Sequence, residues 1–416
     1  MTKKLFGAFL CLATATGAFA AVTFDQQGSV PQLVAQLRGS SAEAAVVPLP
    51  GDQKAQAKWT VMVYVNAKNN LESFGLKDVN EMEMVGSSPD VNIVAELGRI
   101  RGYSSDDGDW TGSRRYLIKK DNNTSKITSP VLMSIPKSDM GNWENLVEFV
   151  AWSQQKFPAQ HYVLVIWNHG SGWSKLDGAA GKGISYDDES GRHITTQQLR
   201  QVLERTGKID ILSMDACLMQ MMEVAYEARS GADYIVASEE TEPGDGYTYN
   251  TWLDKLTASP SMEAAALSKV MVNSYADHYQ SINQGATQSA VKTSELGSLA
   301  GMVDGWVSAV MASGDTAAAR NARTKAQAFY YSSNKDLYHF VKLVDDASSD
   351  PAVKAKGGEI LSFLSGSVIT HNRAVGSKYA NAFGLAVYLP NAYNSAYDGL
   401  QWAQDSKWDD FMKWIK

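Results

Sequence analysis

The sequence predicts an α/β fold: a mostly parallel central sheet with helices on both faces. Segments 60–65 and 162–167 are almost wholly apolar, as in strands that are covered on both faces. Helical patterns alternate with such strands along the chain, which is typical of parallel sheets. The chain has 416 residues, 44% of them hydrophobic. That is enough for a large core, in two or three domains or in one large α/β domain.

The individual elements follow from local patterns. Runs rich in apolar and β-branched residues predict strands at 60–65, 91–97, 116–119, 162–167, 184–186, 209–214 and 234–238. Apolar residues at helical spacing predict helices at 71–85, 142–157, 196–205 and 217–229. Glycine-rich and polar composition predicts loops at 101–113 and 170–183. Residues 261–365 have a largely helical pattern, a late strand at 383–389 is expected to return to the sheet, and a short aromatic helix at 406–415 ends the pattern.

The first twenty residues have the pattern of a bacterial-type export signal. Lys3 and Lys4 precede a short apolar segment, and Ala18-Phe19-Ala20 is a small-x-small cleavage site. The apolar segment is too short to cross a bilayer, and no later segment reaches about 18 apolar residues. We therefore expect a secreted or periplasmic protein without a membrane span.

Charge excludes some partners. The formal net charge is −7 and no run of Lys and Arg occurs, so nucleic acid and anionic membranes are not expected as partners. The sequence also lacks a G-x-S-x-G elbow, an H-E-x-x-H helix and a Walker loop. Serine-hydrolase, zinc-peptidase and NTPase functions are therefore not predicted.

Cysteine use narrows the chemistry. Of the two cysteines, Cys11 lies in the export signal and would leave with it, so the mature chain keeps Cys217 alone. A single thiol in an exported protein is either buried and inert, part of an intermolecular bridge, or reactive.

A reactive thiol is favoured by the residues that follow two strongly predicted strands. His169 follows the strand at 162–167, and Cys217 follows the strand at 209–214. If these strands are parallel neighbours, both residues lie at one sheet edge, where α/β proteins bind ligands. A cysteine nucleophile needs a nearby base to take its proton, and His169 would serve as that base. The N-terminus of the helix predicted at 217–229 would also favour the thiolate. The N–H groups of Gly170 and Cys217 are candidates for an oxyanion hole. Taken singly, such a His is more often structural and such a Cys belongs to the core.

Several segments together resemble the clostripain family of cysteine peptidases. They are NHGSGW at 168–173, DACLM at 215–219, WTVMVYVNAKNNLE at 59–72, ASEETEPGDGYTY at 237–249, GLAVYLP at 384–390 and the final helix with Trp408. The resemblance implies a caspase-like α/β/α sandwich. Together with the local patterns, it gives this expected division: signal peptide 1–20, linker or pro-segment 21–56, catalytic core 57–256, and a helical C-terminal region 257–416 that returns a last strand to the sheet. Lys68 departs from the pattern, because family members often carry an acidic residue there.

Five residues are candidates for catalysis or substrate binding, and for Cys217, His169 and Asp215 the role is what the resemblance implies. Cys217 is the nucleophile and His169 the general base and acid in peptide hydrolysis through a thioester. Cleavage after Arg or Lys is implied, with Asp215 at the bottom of the specificity pocket, where a carboxylate meets the cation. Asp245 is a second candidate at the pocket entrance, and Trp173 is a candidate for the cleft wall. The alternatives are that Asp215 caps the following helix and that Trp173 simply packs.

The resemblance also implies a zymogen that is cut between the His and Cys motifs. The 170–183 loop holds five glycines and two basic residues, so we expect self-cleavage after Lys182, with Lys175 as the alternative. The chemistry needs no metal or cofactor. Some relatives depend on calcium, but the acidic turn Asp187-Asp188-Glu189 favours an exposed loop over a calcium site.

The expected partners are peptides or proteins with a basic residue before the scissile bond. The sequence leaves the oligomeric state open. It also leaves open two alternative functions: a transpeptidase or ligase that uses the same pair of residues, and a non-catalytic binding protein on a peptidase-like scaffold.

Overall fold

The computed structural model describes residues 56–173 and 183–416. Within them the strands are β1 Ala57–Ala67, β2 Val91–Arg99, β3 Gly112–Leu117, β4 Val131–Ile135, β5 Ala159–Trp167, β6 Gly183–Asp187, β7 Arg192–Thr195, β8 Ile209–Asp215, β9 Ala232–Ala237, β10 Ala286–Lys292, β11 Asn334–Asp336, β12 Ile369–Val375 and β13 Ala386–Tyr388. The α-helices in the same residues are α1 Glu72–Glu83, α2 Trp143–Lys156, α3 Thr196–Thr206, α4 Met222–Ala228, α5 Tyr249–Ala258, α6 Ala264–Ser281, α7 Leu296–Ser313, α8 Thr316–Lys325, α9 Leu337–Ala347, α10 Pro351–Phe363, α11 Gln401–Asp405 and α12 Trp408–Trp414.

Nine of the described strands form one sheet in the order β12-β10-β9-β8-β5-β1-β2-β3-β4. The five central strands, from β9 to β2, are parallel. Two antiparallel strands extend the sheet on each side. The predicted α/β class with a mostly parallel centre is therefore confirmed.

The sheet separates two apolar cores, as β1 illustrates. Trp59, Val61, Val63 and Val65 enter the core beneath α1, α5 and α6, whereas Met62 and other intervening residues enter the core beneath α2 and α3. Successive side chains of a strand point to opposite faces. A wholly apolar strand therefore joins both layers, which completes the α/β/α sandwich.

The prediction that a late strand at 383–389 returns to the large sheet is wrong. Its centre, β13, pairs with β11 in a separate two-stranded sheet. The C-terminal region reaches the large sheet through β10 and β12, which the sequence analysis missed. Their sequences, ATQSAVK and ITHNRAV, are mixed polar and small. They lack the apolar runs from which the central strands were predicted.

Strand β3 begins inside the predicted 101–113 loop. The predicted segments 1–20 and 21–56 lie outside the described residues, apart from Gln56. Residues of both 57–256 and 257–416 contribute strands to the large sheet. Within the described residues, no helix has the length and apolar character that crossing a membrane requires.

Candidate active site

The register of two neighbouring strands sets the geometry of the site. In the parallel pair β5–β8, Trp167 lies beside Asp215, and the Asn168 N–H donates to the Asp215 carbonyl at 3.2 Å. His169 and Cys217 each follow this pair by two residues. Because both strands are parallel and end level, the two predicted residues leave the same edge of the sheet.

Both residues line one pocket of about 160 Å³ at this edge. Its other walls come from the β1–α1 connection, the strand ends and the loop after β9: Leu71, Trp167, Asn168, Asp215, Ala216, Glu242, Pro243, Gly244 and Gly246. Cavities near 150 Å³ accept a ligand the size of benzene. The pocket therefore suits a single long side chain next to the thiol.

Cys217 sits in a tight turn and does not begin a helix. Helix α4 starts at Met222, five residues later, so the expected helix-dipole stabilisation of the thiolate is wrong. Leu218 takes a positive φ of 64°, a conformation that costs a non-glycine residue roughly 1–3 kcal/mol. Its N–H donates to the Glu240 carbonyl at 3.0 Å. The loop after β9 thus holds the turn and presents the thiol to the pocket.

The thiol is half-buried, and burial raises its pKa. Two N–H groups oppose this shift: that of Glu242, 3.3 Å from Sγ, and that of Cys217 itself. Burial lowers the pKa of His169, against the opposing charge of Asp188. Both shifts favour a neutral thiol beside a neutral imidazole, in which the histidine is ready to accept a proton.

Gly170 makes a close approach possible. A Cβ at this position would lie 2.5 Å from the Cys217 carbonyl oxygen and 2.9 Å from the Ala216 Cβ. Any side chain would push the histidine loop away from the cysteine turn. The glycine is therefore required by the packing of the site's own two loops. The oxyanion role of the Gly170 and Cys217 N–H groups stays a prediction.

Asp215 faces the pocket from the end of β8. It is buried, and its carboxylate accepts from the Tyr249 hydroxyl at 2.9 Å and the Tyr247 N–H at 3.3 Å. Burial raises its pKa to about 6, against these hydrogen bonds. Because α4 begins seven residues later, Asp215 is not a helix cap. Gly246, at φ 58°, leaves room for this carboxylate, since a Cβ there would meet it at 3.0 Å.

Glu242 is a pocket residue that the sequence analysis missed. Both its carboxyl oxygens are buried and meet no N–H or hydroxyl donor among the described residues, and the carboxyl group shares a hydrogen bond with that of Asp215. Burial and the neighbouring Asp215 raise its pKa. The 237–249 segment contains four acidic residues, and only the loop's path selects the one that faces the pocket. A third buried acid, Asp78, accepts from the Trp167 indole N–H at 2.7 Å behind the wall.

Two residues predicted for substrate binding are not among the pocket's lining residues. Asp245 is 45% exposed and pairs with Lys77 at 2.9 Å, so it is a surface ion pair beside the pocket. Trp173 is buried and packs edge-on against Tyr388 and Tyr397, with ring centroids 4.8 and 4.7 Å away. It therefore packs in the core and is not among the pocket's lining residues.

Lys175 and Lys182, the predicted cleavage sites, lie outside the described residues.

Lys68 occupies the acidic turn that was considered for calcium. Its buried ammonium lies 3.1 Å from Asp187 and 2.5 Å from Glu189, and it donates to the Ser138 carbonyl. The described residues contain no group of three or more His, Cys, Asp and Glu side chains that suits a metal ion. With a lysine already neutralising the turn, these residues do not fit calcium.

A cysteine and a histidine at the ends of adjacent strands, above a side-chain pocket, are the arrangement of a cysteine peptidase. A sequence model of the clostripain family matches residues 63–414. The chain therefore belongs to the clostripain family.

Clostripain of Hathewaya histolytica is 31% identical over 238 residues, which are 52% of this chain and 45% of that protein. The chain thus spans less than half of that relative's length.

Two solved structures share the fold. A secreted C11 cysteine protease of Bacteroides thetaiotaomicron, in complex with an irreversible peptide inhibitor, has a TM-score of 0.63 at 19% identity. The match covers 85% of this chain and 99% of that one. An inactive zymogen C11 protease of Parabacteroides distasonis has a TM-score of 0.63 at 20% identity, with 86% and 99% covered.

Proposed function

We propose that this chain is an exported endopeptidase that hydrolyses peptide bonds after Arg or Lys, with Cys217 as nucleophile and His169 as general base and acid. The observation that carries the proposal is the shared pocket. It holds the thiol, the imidazole and two buried carboxyl groups in one small space.

The chemistry follows from the protonation states of the pair. His169 takes the proton of Cys217, and the thiolate attacks the carbonyl carbon of the substrate. Collapse of the tetrahedral intermediate breaks the C–N bond, the amine leaves with the proton from His169, and a thioester remains. His169 then takes a proton from water, whose attack releases the acid and restores the thiol. The N–H groups of Gly170 and Cys217 are proposed to stabilise the oxyanion.

The residues that line the pocket support the proposed preference for a basic P1 side chain. Leu71 and Trp167 provide apolar surface for the methylene groups of a long side chain. Asp215 and Glu242 provide carboxyl groups that no cationic side chain among the described residues neutralises. A guanidinium or ammonium group from the substrate would supply the missing charge. Hydrogen bonds to charged groups contribute about 1.5–3 kcal/mol, or roughly 10- to 150-fold in preference.

The test is hydrolysis of fluorogenic peptides that differ only at P1, under reducing conditions, by residues 21–416 and by the Cys217→Ala variant. We expect cleavage after Arg and Lys by the wild type and a loss of roughly 10⁴-fold or more in the variant. Equal rates for the two proteins would exclude Cys217 as the nucleophile.

We further propose self-cleavage after Lys182, with Lys175 as the alternative. A basic residue in a glycine-rich loop would match the proposed specificity. Intact-mass analysis of the wild type, Cys217→Ala and Lys182→Ala compares the forms. Fragments from the wild type alone, lost or moved to Lys175 in Lys182→Ala, support the proposal. The same fragments from Cys217→Ala would contradict it.

The proposed reaction has no step that needs a metal, and Lys68 fills the acidic turn. We therefore propose activity without calcium. The check is the hydrolysis rate in EDTA and in added calcium, with equal rates expected. A rate that falls in EDTA and returns with calcium would reverse this part of the proposal.

A further inference from the structure

We propose that Asn70 is the positioning residue that fixes the orientation and tautomer of His169. The inference rests on the proposed function of His169 as base. It adds a third member to the cysteine–histidine pair.

The contact is short and directional. The Asn70 side-chain oxygen Oδ1 lies 2.7 Å from His169 Nε2. An amide oxygen only accepts, so Nε2 carries the proton in the neutral ring. The other ring nitrogen, Nδ1, is then left with its lone pair and is the nitrogen that can accept a proton. Without this contact, the ring can rotate and can place its proton on either nitrogen.

The sheet topology explains how Asn70 reaches the site. Strands β1, β5 and β8 are adjacent and parallel. Asn70, His169 and Cys217 each follow the carboxyl end of one of them, at β1, β5 and β8 respectively. Three neighbouring strand ends therefore supply the orienting residue, the base and the nucleophile in spatial order.

The segment that carries Asn70 is held in place. The neighbouring Asn69 is buried and donates to the Tyr186 carbonyl at 2.9 Å, and its own Oδ1 accepts from the Leu71 N–H at 2.9 Å. Asn168, directly before the histidine, also donates to the Tyr186 carbonyl, at 3.2 Å. One carbonyl thus anchors both the Asn70 segment and the His169 segment, which fixes their separation.

The choice of an amide has a chemical consequence. A carboxylate at this position would stabilise the imidazolium and raise the pKa of His169 by roughly one unit or more. A neutral amide orients the ring while leaving its pKa low. Asn70→Ala and Asn70→Asp therefore separate orientation from charge.

The experiment measures kcat and KM across pH for the wild type, Asn70→Ala, Asn70→Asp and the control Asn122→Ala. Asn122 is an exposed residue in the β3–β4 connection. We expect Asn70→Ala to lower kcat by about 3- to 10-fold, as for one neutral hydrogen bond, with KM within about twofold. Asn70→Asp keeps kcat near the wild-type value at high pH and moves the acidic limb of the profile upward by about one pH unit. Asn122→Ala changes neither.

A second readout needs no substrate. The rate at which iodoacetamide alkylates Cys217 is measured against pH in the same four proteins. A shifted profile in Asn70→Asp alone supports the contact even if the wild type hydrolyses none of the peptides, in which case the proposed function fails separately. An unchanged kcat in Asn70→Ala, or matching pH profiles for Asn70→Ala and Asn70→Asp, would overturn the proposal.

Discussion

Two of the regions that contain buried acids treat them differently. Near the end of β2, Glu72 pairs with Arg99 at 2.7 Å, and both side chains are fully buried. In the pocket, Asp215 and Glu242 are buried beside each other, and the ion pairs found among the described residues include neither of them. The first region neutralises its charge within the chain, whereas no cationic side chain among the described residues pairs with the two carboxyl groups of the second.

Under the proposed specificity, the comparison separates buried charges that hold the fold from buried charges that bind a substrate. An ion pair that is buried and complete stabilises a conformation only as long as both members remain. Buried carboxyl groups without a cation have raised pKa values and reduce stability when ionised. They are tolerated where they serve binding. The four predictions below test this distinction.

The largest effect is expected on the structural side. Glu72→Gln leaves the Arg99 guanidinium buried without its counter-charge, which costs roughly 3–5 kcal/mol of unfolding free energy. Chemical denaturation at pH 7 measures this loss. Glu242→Gln is the matched control, and we expect no loss of stability in it. Equal destabilisation by the two variants would remove the distinction between the regions.

The next effect is on specificity. Asp215→Asn keeps the size of the side chain but removes the charge, so kcat/KM for an Arg substrate should fall by roughly 10- to 150-fold. The rate for a substrate with a neutral P1 residue should change little, which makes the ratio of the two the measurement. An unchanged ratio would show that Asp215 is not the specificity residue.

The pH dependence of that ratio gives a smaller effect. Burial raises the pKa of Asp215 to about 6. Below that pH the carboxyl group is protonated and loses its attraction for a basic side chain. We expect the Arg-to-neutral ratio of kcat/KM to fall by up to about tenfold per pH unit below pH 6. Protonation of His169 changes kcat/KM for both substrates equally, so its effect cancels in the ratio. In Asp215→Asn the ratio should be flat.

The smallest effect concerns a buried acid pair away from the pocket. Glu239 and Asp336 are buried beside each other, and burial with mutual repulsion raises the pKa of Glu239 well above 4.5. The folded chain therefore holds a proton that the unfolded chain has lost, so the contribution of Glu239 to stability is greatest below about pH 4.5 and falls as the pH rises. Glu239→Gln removes this titration and should raise the free energy of unfolding at pH 8 by about 1 kcal/mol, the equivalent of roughly one pKa unit. Thermal unfolding at pH 5 and pH 8 tests it, and an unaltered difference between the two pH values would contradict it.

The central strands could be predicted because a strand that is buried on both faces is a run of consecutive apolar residues. Strands β1, β5 and β8 consist largely of apolar residues that reach two cores. Strands β10 and β12 escaped prediction because a strand also forms through backbone pairing, which polar residues such as Thr287 and Asn372 support equally well. The segment at 383–389 was predicted as a strand, but its pairing with β11 depends on long-range contacts.

The sequence predicted the two central residues of the site but not every acid that lines its pocket. Cys217 and His169 follow strong strands, so the parallel topology alone brings them to one edge. Asp245 and Glu242 are three residues apart in one loop, and composition gives no reason to choose between them. The structure directs Glu242 into the pocket and leaves Asp245 to pair with Lys77.

The sequence by itself determined the layered fold and the position of Cys217 and His169 at one sheet edge, and its resemblance to a family indicated the class of chemistry. These depend on local patterns and on the rule that parallel strands end at one edge. Only the tertiary structure decided which acids line the pocket, that Asn70 reaches His169, and that Trp173 packs in the core. Each of these depends on loop paths and on contacts between residues distant in sequence, such as the 99 residues between Asn70 and His169, and no local pattern encodes them.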